Sequence, residues 1–164
     1  YASKRQSLVG SDRVRGAVNE KTADTVNTLF DMIWSGIFDR HPKLKLVLVE
    51  SELGWLPFIL QQWDYYYKRF TKPGLAQQEF KIKRLPSEIF NEHCYVTFMD
   101  DFSGTRSFGW WGDKNCMWSS DYPHGNMTWP NSLKIIAKHL DYLPRDKQER
   151  LLRDTVVDLY HLDI

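Results

Sequence analysis

Apolar residues recur along this chain at two spacings, and the switch between them sets the order of elements. From Thr22 onward, Val26, Leu29, Phe30, Ile33 and Ile37 fall on one helical face, with Thr22 or Asp24 placed to cap its start. His41-Pro42 ends that helix, because proline pushes the residue before it out of helical geometry. Residues 44–49 form a short, β-branched apolar run, which suits a strand buried on both faces of a parallel sheet. A second helix follows, with Pro57 in its first turn and Leu56, Ile59, Leu60, Trp63, Tyr67 and Phe70 along one stripe. Residues 71–84 carry Pro73, Gly74 and several lysines and predict a surface connection. A short helix over 86–92 leads to a second strand at 94–99. Another short helix, within 103–111, leads to a third strand at 115–119. Pro130 opens a helix through Leu140. Pro144 opens the last, with Leu151, Leu152, Val156 and Leu159 on one face. Residues 1–21 show neither periodicity and predict an irregular arm or loop. The folded unit is therefore expected over 22–164.

Strands alternating with covering helices indicate parallel βαβ units and an α/β fold. Three strands are too few to close on themselves. The chain also begins at Tyr1 rather than Met, as expected if its start has been removed or if it is a piece of something longer.

Composition narrows the function classes. With 164 residues and 42% hydrophobic content, the chain supports one sizeable core. Twenty-two Lys and Arg against twenty-one Asp and Glu leave a net charge of +1 with no basic run, which argues against a nucleic-acid or membrane-surface partner. No apolar stretch is long enough to span a bilayer and no signal peptide is legible. Cys94 and Cys116 each lie in an apolar run. They read as buried thiols of a cytoplasmic protein.

Each strand ends in acid: Glu50 and Glu52 after the first, Asp100 and Asp101 after the second, Asp121 after the third. In parallel α/β folds the ligand lies outside these C-terminal ends. Carboxylates converging there hold a divalent cation or divide into an acid and a base, whereas singly they serve as helix caps. Residues 118–130, Trp-Ser-Ser-Asp-Tyr-Pro-His-Gly-Asn-Met-Thr-Trp-Pro, carry the strongest local signal. Pro123 stiffens the turn after Asp121, and His124 is near enough to meet the same ligand or to bond loop backbone. Trp110, Trp111 and Trp129 are candidates for the wall of a pocket, and Trp55 begins an aromatic run that could stack against a ligand. Trp63, Tyr67 and Phe70, at helical spacing, suit a core or an interface. His93, His139 and His161 have no partner at metal-ligand spacing and read as structural. No HxH, HExxH, phosphate loop or GxSxG is present.

These residues resemble a known group. Residues 31–58, ending Val-Glu-Ser-Glu-Leu-Gly-Trp-Leu-Pro-Phe, look like the middle of amidohydrolase-related TIM-barrel proteins. That branch contains aminocarboxymuconate semialdehyde decarboxylase and related aromatic-acid decarboxylases. Residues 119–124 with 129–132 resemble its last strand and loop, and residues 154–163 its closing helix. The resemblance implies strands six to eight of a (β/α)8 barrel with a divalent metal, usually zinc, at the C-terminal rim. It implies that Asp121 binds metal or shuttles a proton. Glu50 stands where decarboxylase members carry a histidine, a departure from the family pattern at which a glutamate could still serve as base or ligand. His124, Trp55 and Trp129 are then expected to contact a small, aromatic or carboxylate-bearing substrate. The family's paired histidines on its first strand, and its histidine on the fifth, have no counterpart here. Most metal ligands are thus expected from a missing first half, and the chain alone is expected to hold metal weakly or not at all.

The expected activity is hydrolysis or decarboxylation, in a homo-oligomer or a pairing with that half. Two further readings stand: a catalytically silent fragment acting through an aromatic interface, and a carbohydrate-binding module resting on seven tryptophans.

Overall fold

The computed structural model describes residues 12–74 and 79–164. In chain order it comprises α1 (Asp12–Val14), a π-helical segment (Arg15–Glu20), α2 (Lys21–Trp34), α3 (Ile37–Arg40), β1 (Leu46–Leu48), α4 (Leu56–Phe70) and α5 (Pro86–His93). There follow β2 (Cys94–Phe98), α6 (Phe102–Arg106), α7 (Phe108–Trp111), β3 (Cys116–Trp118), α8 (Ser132–Leu140), α9 (Arg145–Glu149), a second π-helical segment (Arg150–Asp154) and α10 (Thr155–Tyr160).

The three strands form one parallel sheet in the order β1-β2-β3. Leu46 pairs with Cys94 and Leu48 with Val96; Val96 pairs in turn with Cys116, and Phe98 with Trp118. Because side chains alternate, these residues share one face. That face buries against Leu29 and Ile33 of α2, Leu56 and Leu60 of α4, and Ile89 and Phe90 of α5. Val47, Thr97 and Met117 occupy the other face. There they border a cleft of about 200 Å³ shared with Leu151, Leu152, Val156 and Tyr160. Neither β1 nor β3 has a second strand partner among the described residues.

The expected alternation of elements is present, with shorter strands than the apolar runs suggest. The irregular segment is corrected: residues 12–20 are helical and run directly into α2, so neither Thr22 nor Asp24 caps a helix start. Residues 1–11 of that expectation lie outside the described residues. The helix expected to reach His41 is broken at Ser35-Gly36, where Gly36 takes a left-handed φ of 70° that glycine adopts without penalty. Its end at Arg40, before His41-Pro42, is where the proline placed it.

The aromatic stripe of α4 is largely used internally. Trp63 meets Phe30 edge-on at 5.4 Å, and Tyr67 stacks on Phe80 at 5.6 Å. Tyr65 and Tyr66 are the exposed aromatic residues of this helix's middle turn.

Candidate functional site

Three residues past the strand ends hold left-handed backbone without being glycine: Glu50 (φ 54°), Glu52 (φ 57°) and Asp121 (φ 55°). Such conformations cost of order 1–3 kcal/mol each and gather where a side chain must be aimed. Two of the three aim at one point. Donor atoms of Glu50, Asp121 and His124 all lie within 4.8 Å of one another. The backbone N–H of Glu50 donates to Thr97 Oγ1 at 2.9 Å, which ties the end of β1 to β2. His124 is tied to Asp121 twice, by its backbone N–H to the Asp121 carbonyl at 2.8 Å and by Nδ1 to Oδ2 at 3.0 Å. The Asp121 side chain is only 9% exposed whereas that of His124 is 68% exposed, so a buried carboxylate stands beneath a solvent-facing imidazole.

Two carboxylates and one imidazole are a donor set suited to a divalent cation such as zinc or manganese, and three protein ligands plus water is the usual catalytic count. The residues present therefore fit a bound divalent metal. His124, expected to meet substrate, is the third donor that the sequence reading did not supply.

A cavity of about 240 Å³ shares Glu50 with this cluster and is lined also by Lys21, Thr22, Glu52, Trp55, Met99 and Asn126. Trp55 is held in its wall by Nε1 donating to the Ser51 carbonyl at 2.8 Å. Lys21 Nζ reaches Glu50 Oε2 at 3.0 Å. That hydrogen bond, and then the lysine charge, hold the Glu50 carboxyl below its ordinary value. Burial pushes the Glu52 carboxyl up. Donation from the Met99 backbone N–H at 3.1 Å opposes that shift, and the charge of Asp101 reinforces it.

The other expected acids of the rim are spent on structure. Asp101 caps α6 by accepting from Gly104 N and also accepts from Leu53 N and Gly54 N. Asp100 turns away to Lys138 at 2.8 Å and His139 at 2.5 Å. Trp129 is not brought to this cavity; it is exposed and lies edge-on to Tyr122 at 6.2 Å. His93 is buried, bonded to the Leu44 carbonyl at 3.0 Å and stacked on Phe38 at 4.8 Å. Lys21 escaped sequence reasoning because it sits in a segment without periodicity. The helical residues just before it present Val14 and Val18 to solvent and leave no amphipathic signal.

No helix among the described residues is long and apolar enough to cross a membrane. No curated protein sequence matches the chain. Solved structures do. A 5-carboxyvanillate decarboxylase from Sphingomonas paucimobilis is 26% identical over 85% of this chain and 40% of its own, with a TM-score of 0.66. A dihydroxybenzoic acid decarboxylase from a Polaromonas species, solved with manganese and the inhibitor 2-nitroresorcinol, is 18% identical over 96% and 48%, with a TM-score of 0.69. The 2,6-dihydroxybenzoate decarboxylase from Rhizobium is 20% identical over 98% and 50%, also at 0.69. The chain thus spans 40–50% of the length of these structures, whose TIM barrels it matches in part. The amidohydrolase family model matches residues 22–162, and the chain belongs to that family.

Proposed function

We propose that this chain supplies the metal-bearing C-terminal rim of an amidohydrolase-type decarboxylase acting on a small aromatic carboxylate. The observation that carries the reading is the convergence of Glu50, Asp121 and His124 within 4.8 Å at the ends of β1 and β3. Similarity to the 5-carboxyvanillate and 2,6-dihydroxybenzoate decarboxylases supports the reaction class. These three residues would hold the divalent ion. When bound, such an ion polarises a substrate oxygen or lowers the pKa of water.

The chain's own residues do the rest. Asp121, nearly buried and hydrogen-bonded to His124, presents a fixed carboxylate to the rim. Trp55 offers an aromatic wall, and Glu50 a second carboxylate whose charge is favoured by Lys21. Closure of the site against water calls for further strands. We assign them to the remaining part of a barrel, added in parallel beside β1, where Leu46–Val49 border a groove of about 570 Å³ with Glu20 and Asp24.

Metal titration tests the reading. Calorimetry with zinc and with manganese is expected to give one site on the chain, weakened at least about tenfold in Asp121→Asn and in Glu50→Gln. Carbon dioxide release from 5-carboxyvanillate or 2,6-dihydroxybenzoate tests the reaction. Hydrolysis of ester or amide substrates without it identifies a hydrolase instead.

A further inference from the structure

Lys21 is the one cation among the described residues lining the cavity, and its partner there, Glu50, belongs to the proposed metal cluster. It stands where the π-helical segment Arg15–Glu20 passes into α2, the kind of local helix irregularity that recurs at functional sites. Its side chain is 43% exposed and that of Glu50 34%, so the pair is open to water and weak enough to be exchanged. A cation bound through Glu50 would bring two positive centres onto one carboxylate, and their mutual repulsion would loosen the lysine. Lysine's flexible four-carbon stem lets the ammonium move without moving the helix.

The cavity offers somewhere for it to point. Its volume of about 240 Å³ takes one substituted ring, given that a cavity of about 150 Å³ accepts benzene. Trp55 forms an aromatic wall, while Glu50 and Glu52 make the rest of the charged lining acidic. An anionic ligand therefore has one attractive charge to meet there.

We infer that Lys21 is a positioning residue that exchanges partners, pairing with Glu50 when the cluster is empty and holding the carboxylate of an aromatic ligand against Trp55 when a divalent ion has taken Glu50. This rests on the proposed metal role of Glu50, Asp121 and His124. It adds a residue of the helical arm to the site and makes metal binding and carboxylate binding mutually supportive.

The test uses Lys21→Met and Lys21→Arg in the full chain, with manganese as the metal and 2,6-dihydroxybenzoate as the carboxylate. Manganese affinity is measured by calorimetry without the carboxylate, and carboxylate affinity by tryptophan fluorescence at saturating manganese. Lys21→Met is expected to bind manganese about three- to tenfold more tightly, since the competitor for Glu50 is gone. The same variant is expected to bind the carboxylate about tenfold or more weakly, for want of one charge-assisted hydrogen bond. Lys21→Arg is expected to keep most of the carboxylate affinity. A merely structural lysine would weaken both ligands together, and that result overturns the inference, as does unchanged carboxylate affinity in Lys21→Met. Failure of the underlying metal reading shows separately, as manganese binding that is absent from the parent chain or unaffected by Glu50→Gln and Asp121→Asn. It overturns the exchange as well.

Discussion

The Asp101 carboxylate accepts the backbone N–H of Leu53 at 2.6 Å, 48 residues away in sequence, and so pins the loop after β1 to the start of α6. The same Oδ2 accepts from Gly54 at 2.7 Å, while Oδ1 accepts from Gly104 at 2.8 Å. Asparagine has only one acceptor oxygen and would turn an NH2 toward an N–H. Asp101→Asn is therefore expected to cost about 1–3 kcal/mol. Thermal unfolding should show it, at roughly 2–4 °C of Tm per kcal/mol for a chain of this size. Glu50→Gln, which loses only a pair with half-exposed Lys21, should change stability by no more than about 1 kcal/mol. Equal losses in the two variants would mean that the acids of the rim do not divide into structural and site groups.

Gly104 is required by the same junction. A Cβ built there would lie 2.3 Å from Leu53 Cβ and 2.7 Å from Asp101 Oδ2, closer than any real contact. Gly104→Ala should therefore destabilise by about 1–3 kcal/mol through overpacking. Gly109, on the exposed side of α7, has nothing within 4 Å of its Cβ position. Gly109→Ala should stabilise by about 0.4–1 kcal/mol by restricting the unfolded chain. Denaturant midpoints for the two variants are expected to move in opposite directions.

The βαβ order was legible in the sequence because buried parallel strands and amphipathic helices leave different periods, and each survives in a single chain. Residues 44–49 and 94–99 announced β1 and β2 in this way. Asp121 and Glu50 were legible because each follows a buried strand. That His124 lies near enough to share a ligand with Asp121 was legible too; the convergence of Glu50 on that pair was not. It depends on left-handed backbone at Glu50 and Asp121, for which those residue types carry no marker of the kind glycine provides. Asp100 and Asp101 look the same as Asp121 in sequence. Only their neighbours, Lys138 and His139 for one and the Leu53–Gly54 backbone for the other, reveal that they are structural. The helix over 12–20 was hidden for the opposite reason, since it buries no residue of its π-helical turn and has no apolar stripe to announce it.

Asp100 predicts a pH effect on stability. Hydrogen bonding from Lys138, and then from His139, holds its carboxyl below the ordinary aspartate value. A carboxyl depressed in the folded state contributes stability that is present above its unfolded value, near pH 4, and is lost as pH falls through the folded value. Its side chain is 50% exposed, so solvent screening keeps the effect small. Parent chain and Asp100→Asn are thus expected to differ in chemical stability from neutral pH down to about pH 4, and to converge at lower pH. A gap that persisted below the folded value would assign the difference to packing around buried His139 rather than to charge.

The two thiols supply a test of the core itself. Cys94 and Cys116 lie on neighbouring strands with 0% and 1% exposure, and neither is in a disulfide. Burial pushes the Cys94 thiol up to about 12 and raises Cys116 well above its ordinary value too. Only the thiolate is nucleophilic. At pH 8 a thiol of that pKa is ionised to about one part in ten thousand, against roughly a quarter for a free cysteine. Low ionisation and exclusion from solvent act together, so a disulfide reagent should find no reactive thiol in the native chain at pH 8 and two in guanidinium chloride. Because the reagent traps any opened form, the slow native rate then reports how often the β2–β3 layer opens. Rapid modification of either thiol without denaturant would mean that this layer is not closed in solution, and that the cluster at its C-terminal rim lacks the rigid floor on which a preorganised site depends.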